Sequence, residues 1–348
     1  MLKWLFGGYI KPVTDQNGKV IPNSVAELEK IKIGGVDQWI TIKGKSKDMP
    51  ILLFLHGGPG SPQTGAQRKY NAELEEHYIV VNWDQRGSGK SFSKEISPES
   101  MNVNQILSDA NELVHYLLRR FGQKKLFIMG QSVGAAYGLL FTSRHPELIH
   151  AFIGINQPVL RKEEEIRSYQ FTLETARKNQ NQKAIRQLEA IHLPENGIYR
   201  DVNHLVTQRT WLTKFNGVTY EKNAASINVN YLLSSHLTLK EKIKFMKGFQ
   251  FSSTHLWNEI TSLNFFELVP EVKVPVYFIA GKHDRIVFMD LVQEYYRFLK
   301  APKKELIVFD KSGHLACFEE NVAFNLLMVK VKIENYPLDR RESIAANE

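Results

Sequence analysis

The sequence predicts an α/β fold: a mostly parallel sheet with helices on both faces and a helical block inserted between two sheet-forming halves. Three observations predict it. Short, continuously apolar runs such as Ile51–Leu55 (ILLFL) alternate with amphipathic helical patterns, as expected for strands covered on both faces. Several of those runs stop abruptly at glycine-rich turns, among them Gly57-Gly58 and Gly87. The alternation breaks near Pro158, gives way to a polar, aromatic and mostly helical stretch, and resumes after Ser262.

Taken in order, two alternating stretches at Ala26–Ile33 and Asp37–Lys43, separated by Gly34-Gly35, read as an antiparallel hairpin at a sheet edge. Ile51–Leu55 and Tyr78–Asp84 read as buried strands, followed by a helix over Val103–Phe121 and a strand at Lys125–Met129. A helix at Val133–Arg144 and a strand at Ile149–Ile155 complete the first half. The second half repeats the pattern: strand Val276–Ala280, helix Asp290–Leu299, strand Leu306–Phe309, helix Glu319–Ile333. The expected organisation is therefore a core of residues 1–157 and 263–348 with a helical cap at 158–262.

Composition narrows the class. Of the 348 residues 43% are hydrophobic and 24% charged, ordinary for a globular chain. The single cysteine, Cys317, rules out an intrachain disulfide and fits a reducing compartment; a cytoplasmic location is the expectation. The net charge of +8 is spread and interleaved with acids, as in Arg161-Lys162-Glu163-Glu164-Glu165, so no nucleic-acid partner is expected. The apolar start Met1–Ile10 is interrupted by Lys3, Gly7 and Gly8 and is too short to span a bilayer, so no membrane partner is expected either. No phosphate-cradle motif or metal-ligand spacing occurs, so neither a cofactor nor a metal is expected.

The chemistry points elsewhere. Gly130-Gln131-Ser132-Val133-Gly134 matches G-x-S-x-G and sits directly between an apolar strand and a helix, where a nucleophile elbow must be. The sharp turn crowds its flanks, and glycine two positions to either side avoids the clash. A serine hydroxyl needs a base to take its proton. Asp284 and His314 each follow a late strand, in the chain order serine, acid, histidine, and at the carboxyl strand ends where open α/β sheets bind ligands. His314 is read as the general base and Asp284 as the group that fixes its tautomer. His283 is a rival base, and Asp290 and Asp310 are rival acids, although Asp290 also suits an N-cap. His56-Gly57-Gly58-Pro59-Gly60 supplies one oxyanion donor, from Gly57 or Gly58, and Val133 the other. Asp84-Gln85-Arg86-Gly87-Ser88-Gly89 reads as an internal Asp–Arg brace, and Cys317 as a small buried residue.

Together HGGPG, DQRGSG, G-x-S-x-G and the late GKHD and SGH segments resemble the proline iminopeptidase family of α/β-hydrolases, over roughly residues 25–157 and 263–335. The resemblance implies an α/β-hydrolase fold, Ser132, Asp284 and His314 as the catalytic residues, and release of N-terminal residues from small peptides through an acyl-enzyme. Two departures stand out. Val133 occupies a position where the family commonly has Trp, and the acidic cap residues that hold the substrate's amino group have no clear match. Glu163, Glu164 and Glu165 are the candidates for that role, against a solvated helix face. The alternatives are an ester or lactone hydrolase and, more remotely, a binding protein on the same fold. In every case the expected partner is a small molecule or short peptide.

Overall fold

The computed structural model describes residues 8–192 and 197–336. The apolar start noted above thus lies outside the described residues, apart from Gly8, Tyr9 and Ile10. Among the described residues no helix is long and apolar enough to cross a membrane.

One sheet organises the chain. β1 (Val25–Ile33) and β2 (Val36–Gly44) form the edge hairpin; β3 (Ile51–Leu55), β4 (Ile79–Asp84), β5 (Leu126–Gln131) and β6 (Ile149–Ile155) follow, then β7 (Val276–Gly281) and β8 (Lys304–Phe309). The order is β1-β2-β4-β3-β5-β6-β7-β8, antiparallel where β2 meets β1 and β4 and parallel elsewhere. Alternation along β3 explains its unbroken apolar run. Leu53 and Leu55 join the core under α2 (Val103–Phe121), whereas Leu52 and Phe54 face the opposite core with Phe324, Met328 and Val331. α2 starts where the Asn102 side chain accepts the Gln105 N–H at 2.8 Å and stops at Gly122, which takes the left-handed conformation.

Between β6 and β7 lie α4 (Arg161–Lys178), α5 (Gln182–Ile191), α6 (Val202–Lys214), α7 (Ala224–Leu233) and α8 (Leu239–Thr261); α1 (Thr64–Tyr70) and α3 (Val133–Arg144) precede them. The two ends of this stretch meet, since Leu160 and Asn264 form an antiparallel bridge and the Phe265 N–H donates to the Val159 carbonyl at 2.9 Å. α9 (Phe265–Leu268), α10 (Met289–Phe298), α11 (Ala316–Glu319) and α12 (Asn321–Asn335) complete the chain.

Three details differ from the sequence reading. α1 has no apolar period to announce it. The helix expected from Glu319 begins at Asn321 and follows a separate short helix, Ala316–Glu319; between them the Glu320 carboxylate turns back to accept the Lys311 N–H at 2.9 Å and the Ser312 hydroxyl at 2.7 Å. Arg86 does not pair with Asp84, because the chain turns between them. The Arg86 guanidinium instead grips Asp109 of α2 through Nε at 2.7 Å and Nη2 at 2.9 Å, and donates to the Gly34 carbonyl at 2.8 Å. Asp84 accepts the Lys90 N–H and the Tyr231 hydroxyl, both at 2.8 Å, and burial pushes its carboxyl up to about 6.

The Arg86–Asp109 pair is buried, so removing one partner strands a charge. Asp109→Ala is expected to lower unfolding free energy by about 3–5 kcal/mol, read as a fall in the urea midpoint. A change below about 1 kcal/mol, the worth of a surface pair, would contradict this bracing role.

Candidate active site

The elbow is strained where the sequence predicts strain. Ser132 joins β5 to α3 with φ 54° and ψ −124°, a conformation that costs a non-glycine residue about 1–3 kcal/mol. Its neighbours permit it. A Cβ on Gly130 would lie 2.4 Å from the Gly134 carbonyl oxygen, and one on Gly134 would lie 2.0 Å from that of Leu55. The turn is held by the Ser132 N–H donating to the Ile155 carbonyl at 2.9 Å.

Two later strand ends bring their side chains to that hydroxyl. His314 Nε2 lies 2.9 Å from Ser132 Oγ, and His314 Nδ1 lies 2.7 Å from Asp284 Oδ2. With Nδ1 protonated and donating to the carboxylate, Nε2 is free to accept the serine proton. Asp284 is fully buried but well supplied with donors: Oδ1 accepts the Ile286 and Val287 N–H groups at 2.7 and 3.0 Å, and Oδ2 also accepts Asn156 Nδ2 at 2.8 Å. These donors, with the His314 ring, give both oxygens of the buried carboxyl group hydrogen-bond partners and fix its orientation. The His314 loop is fixed from behind by Glu319, whose Oε1 accepts the Gly313 N–H at 2.9 Å, and by Gln131, whose amide donates to the His314 carbonyl at 2.8 Å. Asn156 and Glu319 escaped the sequence reading. For Asn156 one signal was available: it is the first residue after β6, another carboxyl strand end.

The glycine loop after β3 abuts the elbow. A Cβ on Gly57 would fall 3.2 Å from Ser132 Cβ, so only glycine approaches this closely. His56 positions the loop rather than the reaction. Its Nδ1 donates to the Gly57 carbonyl at 2.8 Å, its Nε2 accepts the Gln85 N–H at 3.3 Å, and burial lowers its pKa to about 4. The neutral ring therefore anchors the Gly57 carbonyl. Val133 opens α3, so its N–H has no partner within the helix.

A cavity of about 360 Å³ opens onto Ser132 and His314. Gly57, Gly58 and Val133 line it at one end, and Leu205, Met246, Phe249 and Trp257 give it an apolar wall. Its charged lining is Arg161 and Arg209, with no carboxylate among the described lining residues. None of Glu163, Glu164 and Glu165 reaches the cavity wall. Glu164 and Glu165 are not a solvated face either. Arg161 begins α4 facing inward and takes the carboxylates three and four positions on, Glu164 Oε2 at 2.5 Å and Glu165 Oε1 at 2.6 Å. Arg209 of α6 adds a second bond to Glu165 Oε1 at 2.5 Å. Glu163 is half-buried.

The rival residues sit apart from the serine. His283 stacks on Tyr220 and its Nε2 meets the Asp310 carbonyl at 3.1 Å. Asp310 is exposed and pairs with Lys282, and Asp290 is exposed, inside the first turn of α10 rather than capping it, and pairs with Arg167. Cys317 is buried, which pushes its thiol up and keeps it protonated.

Comparison with known proteins agrees with this architecture. A family model described as the alpha/beta hydrolase fold matches residues 50–321. The chain is 35% identical over 302 residues to a probable aminopeptidase, YbaC, of Bacillus subtilis (strain 168), covering 86% of this chain and 94% of the relative. It is also 26% identical over 125 residues to the proline iminopeptidase of Lactobacillus helveticus, 36% of this chain and 41% of the relative. Among solved structures, the proline iminopeptidase of Mycobacterium smegmatis superposes with a TM-score of 0.64 at 15% identity, over 89% of this chain and 98% of that one. The resemblance read from the motifs thus stands.

Proposed function

We propose, from the premise that the chain belongs to the alpha/beta hydrolase fold family, that it is a serine hydrolase in which Ser132 attacks the carbonyl of a small substrate. One observation carries the reading: the unbroken line of hydrogen bonds from Ser132 Oγ through the His314 ring to Asp284. As Oγ bonds to the carbonyl carbon, its proton passes to His314 Nε2, and Asp284 stabilises the imidazolium. The developing oxyanion lies toward the N–H groups of Val133 and of Gly57 or Gly58, each worth about 3 kcal/mol in such sites. His314 then protonates the leaving group, and water, activated by the same ring, releases the acyl-enzyme. The helices between residues 158 and 262 act as a cap, contributing Leu205, Arg209, Met246 and Trp257 to the cavity wall.

Within that class we favour an aminopeptidase of the proline iminopeptidase type, supported by the extended similarity to the probable aminopeptidase YbaC. Glu163–Glu165 remain the candidates for holding the substrate's amino group, and only a rearrangement of the Arg161 and Arg209 pairs would free Glu164 or Glu165 for it. A second reading, hydrolysis of a small ester or lactone, is favoured by a cavity lined by two arginines and by no carboxylate among the described residues. Paired substrates separate the two. Cleavage of aminoacyl arylamides that N-acetylation abolishes is the expected result for the aminopeptidase. Cleavage of p-nitrophenyl esters alone would leave the serine chemistry and remove the peptidase.

A further inference from the structure

One face of α8 has no cover among the described residues. Leu239, Ile243 and Met246 are 72%, 68% and 63% exposed, and their spacing places them one helical turn apart on a single stripe. Leu233, at the end of α7 just before the link to α8, is 71% exposed. Large apolar side chains aligned in this way mark an interaction surface rather than chance exposure.

The polar residues beside the stripe say what it meets. Lys240, Lys242, Lys244 and Lys247 are interleaved with it, and helical geometry puts Lys242 on one flank and Lys240 and Lys247 on the other. The one acid in this stretch, Glu241, is taken up by Lys90 Nζ at 2.5 Å. None of the four lysines forms an ion pair among the described residues. An apolar stripe between rows of lysines suits an anionic lipid surface: the apolar side chains enter the acyl boundary while the lysine stems reach back to the headgroups. A second copy of the chain fits less well, because two-fold pairing of the stripe would set lysine against lysine.

From this geometry we infer that the Leu239–Met246 face of α8 docks the protein on the surface of an anionic bilayer. Met246 also lines the cavity that holds Ser132, so docking sets the cavity mouth toward the lipid. The inference stands whatever bond the serine cleaves.

The test is co-sedimentation of the full chain with phosphatidylcholine vesicles prepared with and without phosphatidylserine. The expected result is binding to the anionic vesicles only, weakened by salt. Ile243→Glu and the pair Lys240→Glu with Lys247→Glu are each expected to lower that binding at least about tenfold, since each lysine near an anionic surface is worth about fivefold in affinity. Both variants alter exposed side chains, so their melting temperatures and their turnover of whichever soluble substrate the wild type cleaves should match the wild type. Failure to bind anionic vesicles, equal binding to both compositions, or binding untouched by Ile243→Glu would overturn the inference. So would a concentration-dependent dimer in vesicle-free solution that Ile243→Glu dissolves, which would give the face to a second copy.

Discussion

Ser132→Ala is expected to lower kcat/KM by about 10⁴-fold or more on whichever substrate the wild type turns over, with folding unchanged. The size follows from what the residue does. Removing Oγ abolishes the acyl-enzyme route, and the residual rate is what binding and the oxyanion donors achieve with water alone. Alanine also removes a strained side chain's hydrogen bond without touching the Ser132 N–H to Ile155 bond that holds the turn, so the thermal midpoint should barely move. Single-turnover rates and a melting curve on the same sample separate lost chemistry from lost fold. A variant keeping a tenth or more of the wild-type rate would remove Ser132 from the mechanism.

Asp284→Asn is expected to cost about as much, near 10⁴-fold in kcat at neutral pH, through a proton in the wrong place. In the wild type Oδ1 accepts two backbone N–H groups while Oδ2 accepts Asn156 Nδ2 and faces His314 Nδ1. An asparagine that keeps its carbonyl on the backbone donors must turn its NH₂ toward His314. Nδ1 then has to accept, Nε2 carries the hydrogen, and the serine proton has nowhere to go. The same NH₂ also faces the Asn156 amide, donor against donor, so a modest loss of stability accompanies the change. Asp290→Asn and Asp310→Asn, both on exposed pairs, should leave kcat within about twofold of wild type, the scale of a surface ion pair. Equal losses in all three would contradict the assignment of Asp284.

The parts legible in the sequence are those where local chemistry leaves little choice. Ile51–Leu55 had to be buried on both faces, and Gly130 and Gly134 could not carry a Cβ beside the turn at Ser132. Asp284 and His314 are legible as candidates from their places after β7 and β8, since strand ends converge in an open parallel sheet. What escaped was long-range. That Arg86 reaches across to Asp109, and that Arg161 and Arg209 converge on Glu164 and Glu165, depends on helix packing, which residue spacing does not encode. The Glu163–Glu165 run reads as solvated by composition alone. Only the inward turn of Arg161 at the start of α4 makes two of its members buried counter-ions. Asn156 illustrates the middle case: its position after β6 was available, but its bonds to Asp284 and to the Gly313 carbonyl were not.

A fluorophosphonate phosphonylates a serine only where a base activates it and oxyanion donors hold the product, so intact-mass and peptide mapping after its reaction reads the state of Ser132 without need of a substrate. One adduct per chain is expected, on the peptide containing Ser132, absent from Ser132→Ala and strongly slowed in His314→Ala. No adduct on the folded wild type, or an adduct on another residue that persists in Ser132→Ala, would contradict it.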